Sequence, residues 1–404
     1  MKQLSKSLIS VAVLSASAGT LVHHQAGASE LAEAVTSGKA SINLRLRYED
    51  VEQNNAAQDA SALTLRTLLS YTTGTYKNFS AKVEMEDNRI VFGQGDFTVG
   101  PTGYNPGVYS VIADPEHTEL DQGYVQYAND GVTVKVGRQV ITMDNHRFIG
   151  HVGWRNDRQT FDGVSFGYKP SKNLDVKYAY ISQRNRIFAE AADLDSKDHL
   201  LNVSYKTSVG KLTGYSYMLE VDNNTDNALD TFGARFTGKS KVGSTGILYT
   251  AEFAKQSSET ATTDFDADYL LLEAGAVISG ITAKVAYESL GSDNGAYGFS
   301  TPLATLHKFN GWADLFLGTP AQGLVDTSFT LTGKAGSGKW LVSYHDFEAD
   351  DASDTVDDLG SEIDLQYTGK FSKHYSYGLK YAAYSGESGR VDTDKLWLWV
   401  GAKF

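Results

Sequence analysis

The chain has 404 residues, 41% hydrophobic and 21% charged, with 39 Gly, 6 Pro, 23 Tyr, no Cys and a net charge of −13. The lack of Cys excludes a disulfide scaffold and any thiolate-held metal, and the acidic balance excludes a typical nucleic-acid binder. Abundant Tyr and Gly with scarce Pro favour strands joined by tight turns, in two or three soluble domains or one large β-domain.

At the N-terminus Lys2 and Lys6 precede a mostly apolar, small-residue run from Leu8 to Val22, and Ala26-Gly27-Ala28 follows as a small-x-small pattern. This is the layout of a secretory signal peptide, so residues 1–28 are expected to be removed and 29–404 to form the exported domain. The run is short and broken by Ser15, Ser17, Gly19 and Thr20, which argues against a membrane-anchoring helix. No later stretch is apolar for about 18 residues, so no helix is expected to span a membrane. Residues 29–39 are expected to be a short periplasmic lead-in.

From about residue 40 a period of two takes over, the signature of strands whose side chains alternate between faces. "INLRLRY" sets Ile42, Leu44, Leu46 and Tyr48 against Asn43, Arg45 and Arg47. "FSAKVEME" sets Phe79, Ala81, Val83 and Met85 against Ser80, Lys82, Glu84 and Glu86. The pattern recurs in "GVTVKVG" (131–137), "NLDVKYAY" (173–180), "GITAKVAYE" (280–288), "SEIDLQYT" (361–368) and "HYSYGLKYAAY" (374–384). The chain closes on "DKLWLWVGAKF", where Leu396, Leu398, Val400, Ala402 and Phe404 share one parity and Trp397 and Trp399 the other. About 18 such segments are present, each near the ~10 residues that a tilted strand needs to cross a bilayer.

The connections alternate between short and long. Short ones fall at 129–131, 169–173, 207–211, 279–280, 334–338 and 370–374. Long ones fall at 51–60, 88–118, 139–159, 184–197, 222–230, 256–266, 289–324 and 349–360. Transmembrane barrels show this asymmetry, with short periplasmic turns and long outer loops. The expected fold is therefore all-β, a transmembrane antiparallel up-and-down β-barrel of about 18 strands with inward-folded extracellular loops. Its apolar parity would face lipid and its polar parity a wet lumen, since a ring this wide cannot be filled by wall side chains alone. Closure satisfies every backbone polar group without an edge. The last strand would pair with the first, and Phe404 would sit in a periplasmic aromatic girdle.

Two stretches stand out. "GRQVITMDNHRFIGHVGWRNDRQTFDGVSF" (137–166) gathers Arg138, Arg147, Arg155, Arg158, His146, His151, Asp144, Asp157 and Trp154. "YGFSTPLATLHKFNGWADLFLGTPAQGLVD" (297–326) is long, aromatic and largely uncharged, a composition that argues against disorder and for a loop folded into the barrel mouth. At these stretches the sequence resembles the alginate-export type of outer-membrane porins. The resemblance rests on Gly-Arg-Gln (137–139), Arg-Phe-Ile-Gly (147–150), Gly-Trp-Arg (153–155) and Gln-Thr-Phe-Asp-Gly-Val (159–164). It extends to 301–320, with His307, Trp312 and Asp314. It implies an 18-stranded barrel in the Gram-negative outer membrane, a pore narrowed by inward loops, and passage of an anionic polysaccharide or its fragments. The terminal aromatic strand resembles the signal by which the barrel-insertion machinery recognises its clients.

The residues make a parallel case. Arginine offers a fixed charge and a planar fork that fits carboxylates. Arg45, Arg47, Arg66 and Arg235 fall on lumen parity, with Lys82, Lys135, Lys177, Lys284 and Lys380, and Arg138 to Arg158 would sit above them. Trp154 and Trp312 could stack on sugar rings. Glu84, Glu86, Asp175, Glu273, Glu288, Glu362 and Asp364 share the lumen, so the bore is mixed, and a general porin stays open beside a channel for anionic sugars or uronates. The Arg/Asp/His set of 144–158 could equally be a salt-bridge network pinning the loop to the wall. His146 and His151 are weak metal candidates. The acidic stretches 222–227, 264–268 and 348–358 lack calcium-loop spacing and are expected to be solvated, with divalent bridging to lipopolysaccharide as the alternative. No cofactor is expected. The partners are outer-membrane lipid and an anionic or sugar solute, with no nucleic acid. An adhesin and a barrel hydrolase, using His345 with Ser343 or His199 with Ser204, are the rival classes; no nucleophile motif supports the latter.

Overall fold

The alternation of side chains becomes a single antiparallel sheet rolled into a ring. The computed structural model describes residues 24–404 except 56, 100–103 and 226. A helix, α1 (His24–Thr36), comes first. Residues 1–23 of the leader expected at 1–28 lie outside the described residues, and α1 runs across the boundary expected at residue 28. The strands that follow are β1 (Lys39–Gln53), β2 (Ala60–Thr72), β3 (Phe79–Asp96), β4 (His117–Asn129), β5 (Val132–Gln139) and β6 (Thr160–Tyr168). Next come β7 (Leu174–Asn185), β8 (Leu194–Lys206), β9 (Lys211–Glu220), β10 (Ala228–Val242), β11 (Thr245–Glu259), β12 (Asp264–Ile278) and β13 (Ile281–Leu290). A small hairpin, β14 (Ser292–Asp293) and β15 (Tyr297–Gly298), sits apart from the ring. β16 (Leu324–Ala335), β17 (Gly338–Ser353), β18 (Val356–Lys370), β19 (Tyr375–Gly386) and β20 (Thr393–Lys403) complete it.

Eighteen strands pair in sequence order, and β1 closes the ring by pairing with β20. The seam sets Leu46 opposite Val400 and Tyr48 opposite Leu398 on the outer face, and Arg47 opposite Trp399 and Glu49 opposite Trp397 on the inner. Outward residues such as Leu69, Val83, Val136, Val285 and Val400 are half exposed, as a lipid-facing band requires. Inward neighbours such as Arg47, Glu84, Glu86 and Asp364 are buried. Phe404 exchanges backbone hydrogen bonds with Ile42 at 3.0 and 3.1 Å and packs against His374 and Tyr375 at the turn end. α1 lies at the same end, where the Ala34 carbonyl accepts the Gly74 N–H at 2.7 Å.

Three expectations need correction. The segment 349–360 is not a long loop: β17 and β18 continue as a tall hairpin joined at 354–355, so the acidic run 348–358 stands on paired strands. Likewise β3 reaches Asp96 and β12 starts at Asp264, which places the acidic run 264–268 on a strand. Alternating side chains were masked there by dense Asp and Glu, which are poor strand formers. The outer part of the lumen is also not simply wet. Phe148 and Ile149 of the 140–159 loop, with Phe299, Leu303 and Phe316 of the 291–323 loop, pack on Tyr215, Tyr269, Phe347 and Trp397 of the wall in one buried cluster. Wall side chains alone cannot fill an 18-strand ring, but two loops supply the missing volume.

Candidate functional site

The two long loops meet inside the ring. The Gly150 N–H donates to the Leu303 carbonyl at 2.7 Å, and the Thr305 N–H to the His146 carbonyl at 3.0 Å. Gln159 Nε2 donates to the carbonyls of Gly150 and Leu303 at 2.9 and 3.2 Å. A Cβ at position 150 would collide with Thr305, so glycine permits this close approach. The 297–320 segment is thus folded into the lumen, against the 140–159 loop.

Charged groups fasten both loops to the wall. Arg155, 5% exposed, donates to Glu49 of β1 at 2.9 and 3.1 Å and to Asp314 of the second loop at 3.0 Å, with Asp114 3.5 Å away. Burial works against its charge, but Glu49, Asp114 and Asp314 outweigh that and raise its pKa above the ordinary guanidinium value. Arg47 pairs with Asp114 and donates to the Trp154 carbonyl at 2.6 Å. Burial favours protonation of Asp114, yet Arg47, Arg155 and the Asn156 N–H hold it below the usual carboxylate range. Arg147 donates to Glu288 at 2.8 Å and to Asn310 at 3.0 Å, and Asn310 returns a hydrogen bond to Glu288 at 2.8 Å. Arg158 joins Asp121 of β4 and Glu84 of β3. Gly311, at φ +82, has no room for a Cβ beside Glu362, and the N–H groups of Trp312 and Ala313 that follow both donate to that carboxylate.

His307 anchors the second loop. Its Nδ1 lies 2.7 Å from Asp314 Oδ1 and its Nε2 2.7 Å from Lys380 Nζ. Burial pushes its pKa down to about 3, although Asp314 pulls the other way, so the ring is neutral, donating from Nδ1 and accepting at Nε2. For Asp314, burial is outweighed by His307, Lys395 and Arg155, which hold it well below the usual range. Trp154 stacks on His307 with ring centroids 4.9 Å apart, and Arg47 and Lys380 lie 5.1 and 4.5 Å from its centroid. Lys380 also sits 3.6 Å from the Trp312 centroid. Both indoles thus carry one or more of the protein's own cations over the ring, and Trp154 carries His307 as well.

The model of the family described as alginate export matches residues 39–290, a span that includes the 140–159 loop and ends before the 291–323 loop. The chain belongs to this family. Its place is the Gram-negative outer membrane, and its fold is that of the porins there. Pseudomonas aeruginosa OpdK, crystallised with vanillate, superimposes with a TM-score of 0.72 at 12% identity over 92% of this chain and 99% of its own. Acinetobacter baumannii OccAB1 gives 0.71 at 15% identity over 92% and 98%, and P. aeruginosa OpdO 0.72 at 11% over 93% and 99%. No curated protein sequence matches the chain.

For this alginate-export family member, the remaining arginines divide by partner. Arg138 forks onto Asp162 at 2.8 and 3.1 Å, and Arg235 pairs with Glu252. Arg45 and Arg66 differ. They face each other across β1 and β2. Arg45 donates to the carbonyls of Trp154 and Arg155 and to Asn156 at 2.7–2.9 Å, and Arg66 to Asn43 at 3.4 Å. Among the described residues neither forms an ion pair. Toward the turns, Lys135 and Lys177 line a cavity of about 290 Å³. Lys177, Lys206 and Lys211 line another of about 240 Å³, where Lys211 is matched by Asp144 at 2.8 Å.

His146 and His151 meet edge to ring at 5.2 Å, with no acidic group joining them in a metal-sized cluster among the described residues. His199 bonds Tyr178 at 2.8 Å, whereas Ser204 bonds Thr213, so they do not meet. Ser343, His345 and Asp326 do align: Ser343 Oγ lies 3.0 Å from His345 Nε2, and His345 Nδ1 lies 2.9 Å from Asp326. Sequence pattern missed Asp326 because it sits on the neighbouring strand. Ser343 is 4% exposed in mid-strand, where its backbone N–H belongs to the ladders with β16 and β18. The backbone of Ser343, committed to the ladder, is thus not free to serve as an oxyanion donor. This row belongs to the buried network that receives Asn310 on Asp326 at 3.1 Å.

Proposed function

We propose that this protein is a passive diffusion channel for small anionic hydrophilic solutes, uronate-like sugars and other carboxylates among them. The reading rests on the Arg45–Arg66 pair. Most lumenal arginines are already neutralised by one or more carboxylates, so they position loops and contribute little net field. Among the described residues Arg45 and Arg66 form no ion pair, and two like charges directly opposite on a sheet are held at a cost that an incoming anion relieves. The lysine-lined cavities nearer the turns extend the positive path. A planar guanidinium fork suits a carboxylate, and the vanillate of the OpdK crystal is itself a carboxylate. No energy source is needed, because solutes move down their own gradient.

The test is the reversal potential in planar bilayers under a KCl gradient. Removing one positive charge about 6 Å from a permeating ion changes its energy by roughly 0.7 kcal/mol in a watery pore, or about threefold in permeability ratio. Arg45→Ala and Arg66→Ala should each lower chloride-over-potassium permeability by that order, and current block by added glucuronate should weaken in parallel. A wild-type channel that shows no anion preference and ignores glucuronate is a general porin.

A further inference from the structure

Behind the constriction, between wall and loop, lies a second polar cluster that the transport reading does not use. Glu86 on β3, His117 at the start of β4 and Asp157 on the 140–159 loop are 1%, 7% and 1% exposed. One ligand-capable atom from each lies within 4.8 Å of the others. Both carboxylate oxygens of Glu86 and the Nε2 of His117 are buried and have no hydrogen-bond partner among the described residues. Buried polar atoms are almost always satisfied, so an orphaned carboxylate facing an orphaned imidazole nitrogen points to a missing occupant.

The charges agree. Glu119 stands directly opposite Glu86 across β3 and β4. The neighbouring Arg158 is taken by Asp121 and Glu84, and Arg66 donates to Asn43. Two or three carboxylates therefore share a pocket in which neither Glu86 nor Asp157 pairs with a lysine or arginine among the described residues, and His117 is the one basic group beside Glu86. Isolated buried anions are strongly disfavoured unless paired or metal-bound.

The histidine is also oriented as a ligand. His117 Nδ1 lies 3.1 Å from the Pro115 carbonyl, which fixes the hydrogen on Nδ1 and leaves the Nε2 lone pair free. Metal-binding histidines are held by such a second hydrogen bond. Asp157 is steadied likewise, since its Oδ2 accepts the Ala189 N–H at 2.8 Å. His117 Nε2 and Glu86 Oε1 are 3.9 Å apart. Ligands about 2.1 Å from a common ion lie about 3.0–3.4 Å from one another, so side-chain rotations of an ångström or so complete the shell.

We infer that Glu86, His117 and Asp157 bind one divalent transition-metal ion, which clamps the C-terminal end of the 140–159 loop to the barrel wall. One nitrogen with two or three carboxylates suits Zn²⁺ or Mn²⁺ better than Ca²⁺ or Mg²⁺, which favour all-oxygen shells. The ion joins three separate segments and neutralises their charge. It is distinct from the acidic runs at 222–227, 264–268 and 348–358 and from the His146–His151 pair.

The experiment uses the full-length barrel in detergent, stripped with chelator and titrated with ZnCl₂ by calorimetry, with retained zinc counted by elemental mass spectrometry after desalting. One equivalent is expected, and Glu86→Gln, His117→Ala and Asp157→Asn should each weaken binding by on the order of 100-fold or more. Heat-modifiable gel mobility verifies that each variant is folded. Should a variant fail to fold, Co²⁺ bound to the wild type decides: visible bands displaced by one equivalent of Zn²⁺ support the site. No retained zinc and no cobalt bands in the wild type overturn the proposal. So does zinc binding that survives unchanged in the folded His117→Ala barrel.

Discussion

Arg155→Ala offers the sharpest probe of how the lumen is held. The guanidinium touches Glu49 of the wall, Asp314 of the second loop and Asp114 of the segment between β3 and β4. Its removal leaves three carboxylates, each no more than 5% exposed, with one shared cation fewer. Breaking a buried pair by deleting one partner costs about 3–5 kcal/mol. The 18-strand ladder does not run through Arg155, so the loss should fall on the packing of the two loops. A loop equilibrium weakened by that amount shifts by about 10² to 10³-fold or more. Single-channel recordings should therefore show a noisier and larger open current, and amide exchange across 140–159 should accelerate, while heat-modifiable mobility still reports a closed barrel. Selectivity should move toward cations, because the uncovered carboxylates add negative charge to the lumen. If conductance, noise and loop exchange all match the wild type, Arg155 is not a fastener and the network described around it carries no mechanical role.

Deleting 297–320 should raise single-channel conductance several-fold, since this segment fills the lumen between Gln256, Glu288, Asp326 and Glu362; an unchanged conductance would mean that current flows elsewhere. Acid should loosen the loops. Folded His307 stays neutral down to about 3, whereas an unfolded histidine takes up a proton below about 6.5, so its contribution is lost as pH falls from about 6.5 toward 3. Asp314, held below its ordinary value, loses its contribution in the same direction. The temperature of the gel-mobility shift should drop between pH 7.5 and 4.5, and His307→Gln should flatten that slope; an identical slope in the variant would remove His307 from the account.

The ring itself was legible because a two-residue period is a local property. Val83 and Met85 against Glu84 and Glu86 already state which face meets lipid, and the closing seam follows from the same parity in Leu398 and Val400. The inward course of the 297–320 stretch was legible from its uncharged, aromatic make-up. What could not be read was pairing at a distance. Arg155 gathers partners from positions 49, 114 and 314, and nothing in the spacing of those residues foretells it. The aromatic packing of Phe148 with Tyr215, Tyr269 and Phe299 was hidden for the same reason, so the lumen looked wetter than it is. At 348–358 the acidic side chains disguised a hairpin, because ladder hydrogen bonds override weak strand propensity.

The seam between β1 and β20 has a consequence for biogenesis. Asn43 waits for Lys403, so the opening strand emerges with half of its backbone donors and acceptors uncommitted until the final strand arrives. A ribosome that stalls anywhere before β20 yields a sheet with two raw margins, which lipid will not accept. Sealing therefore doubles as an inspection: only polypeptide carrying its closing segment can become a finished ring.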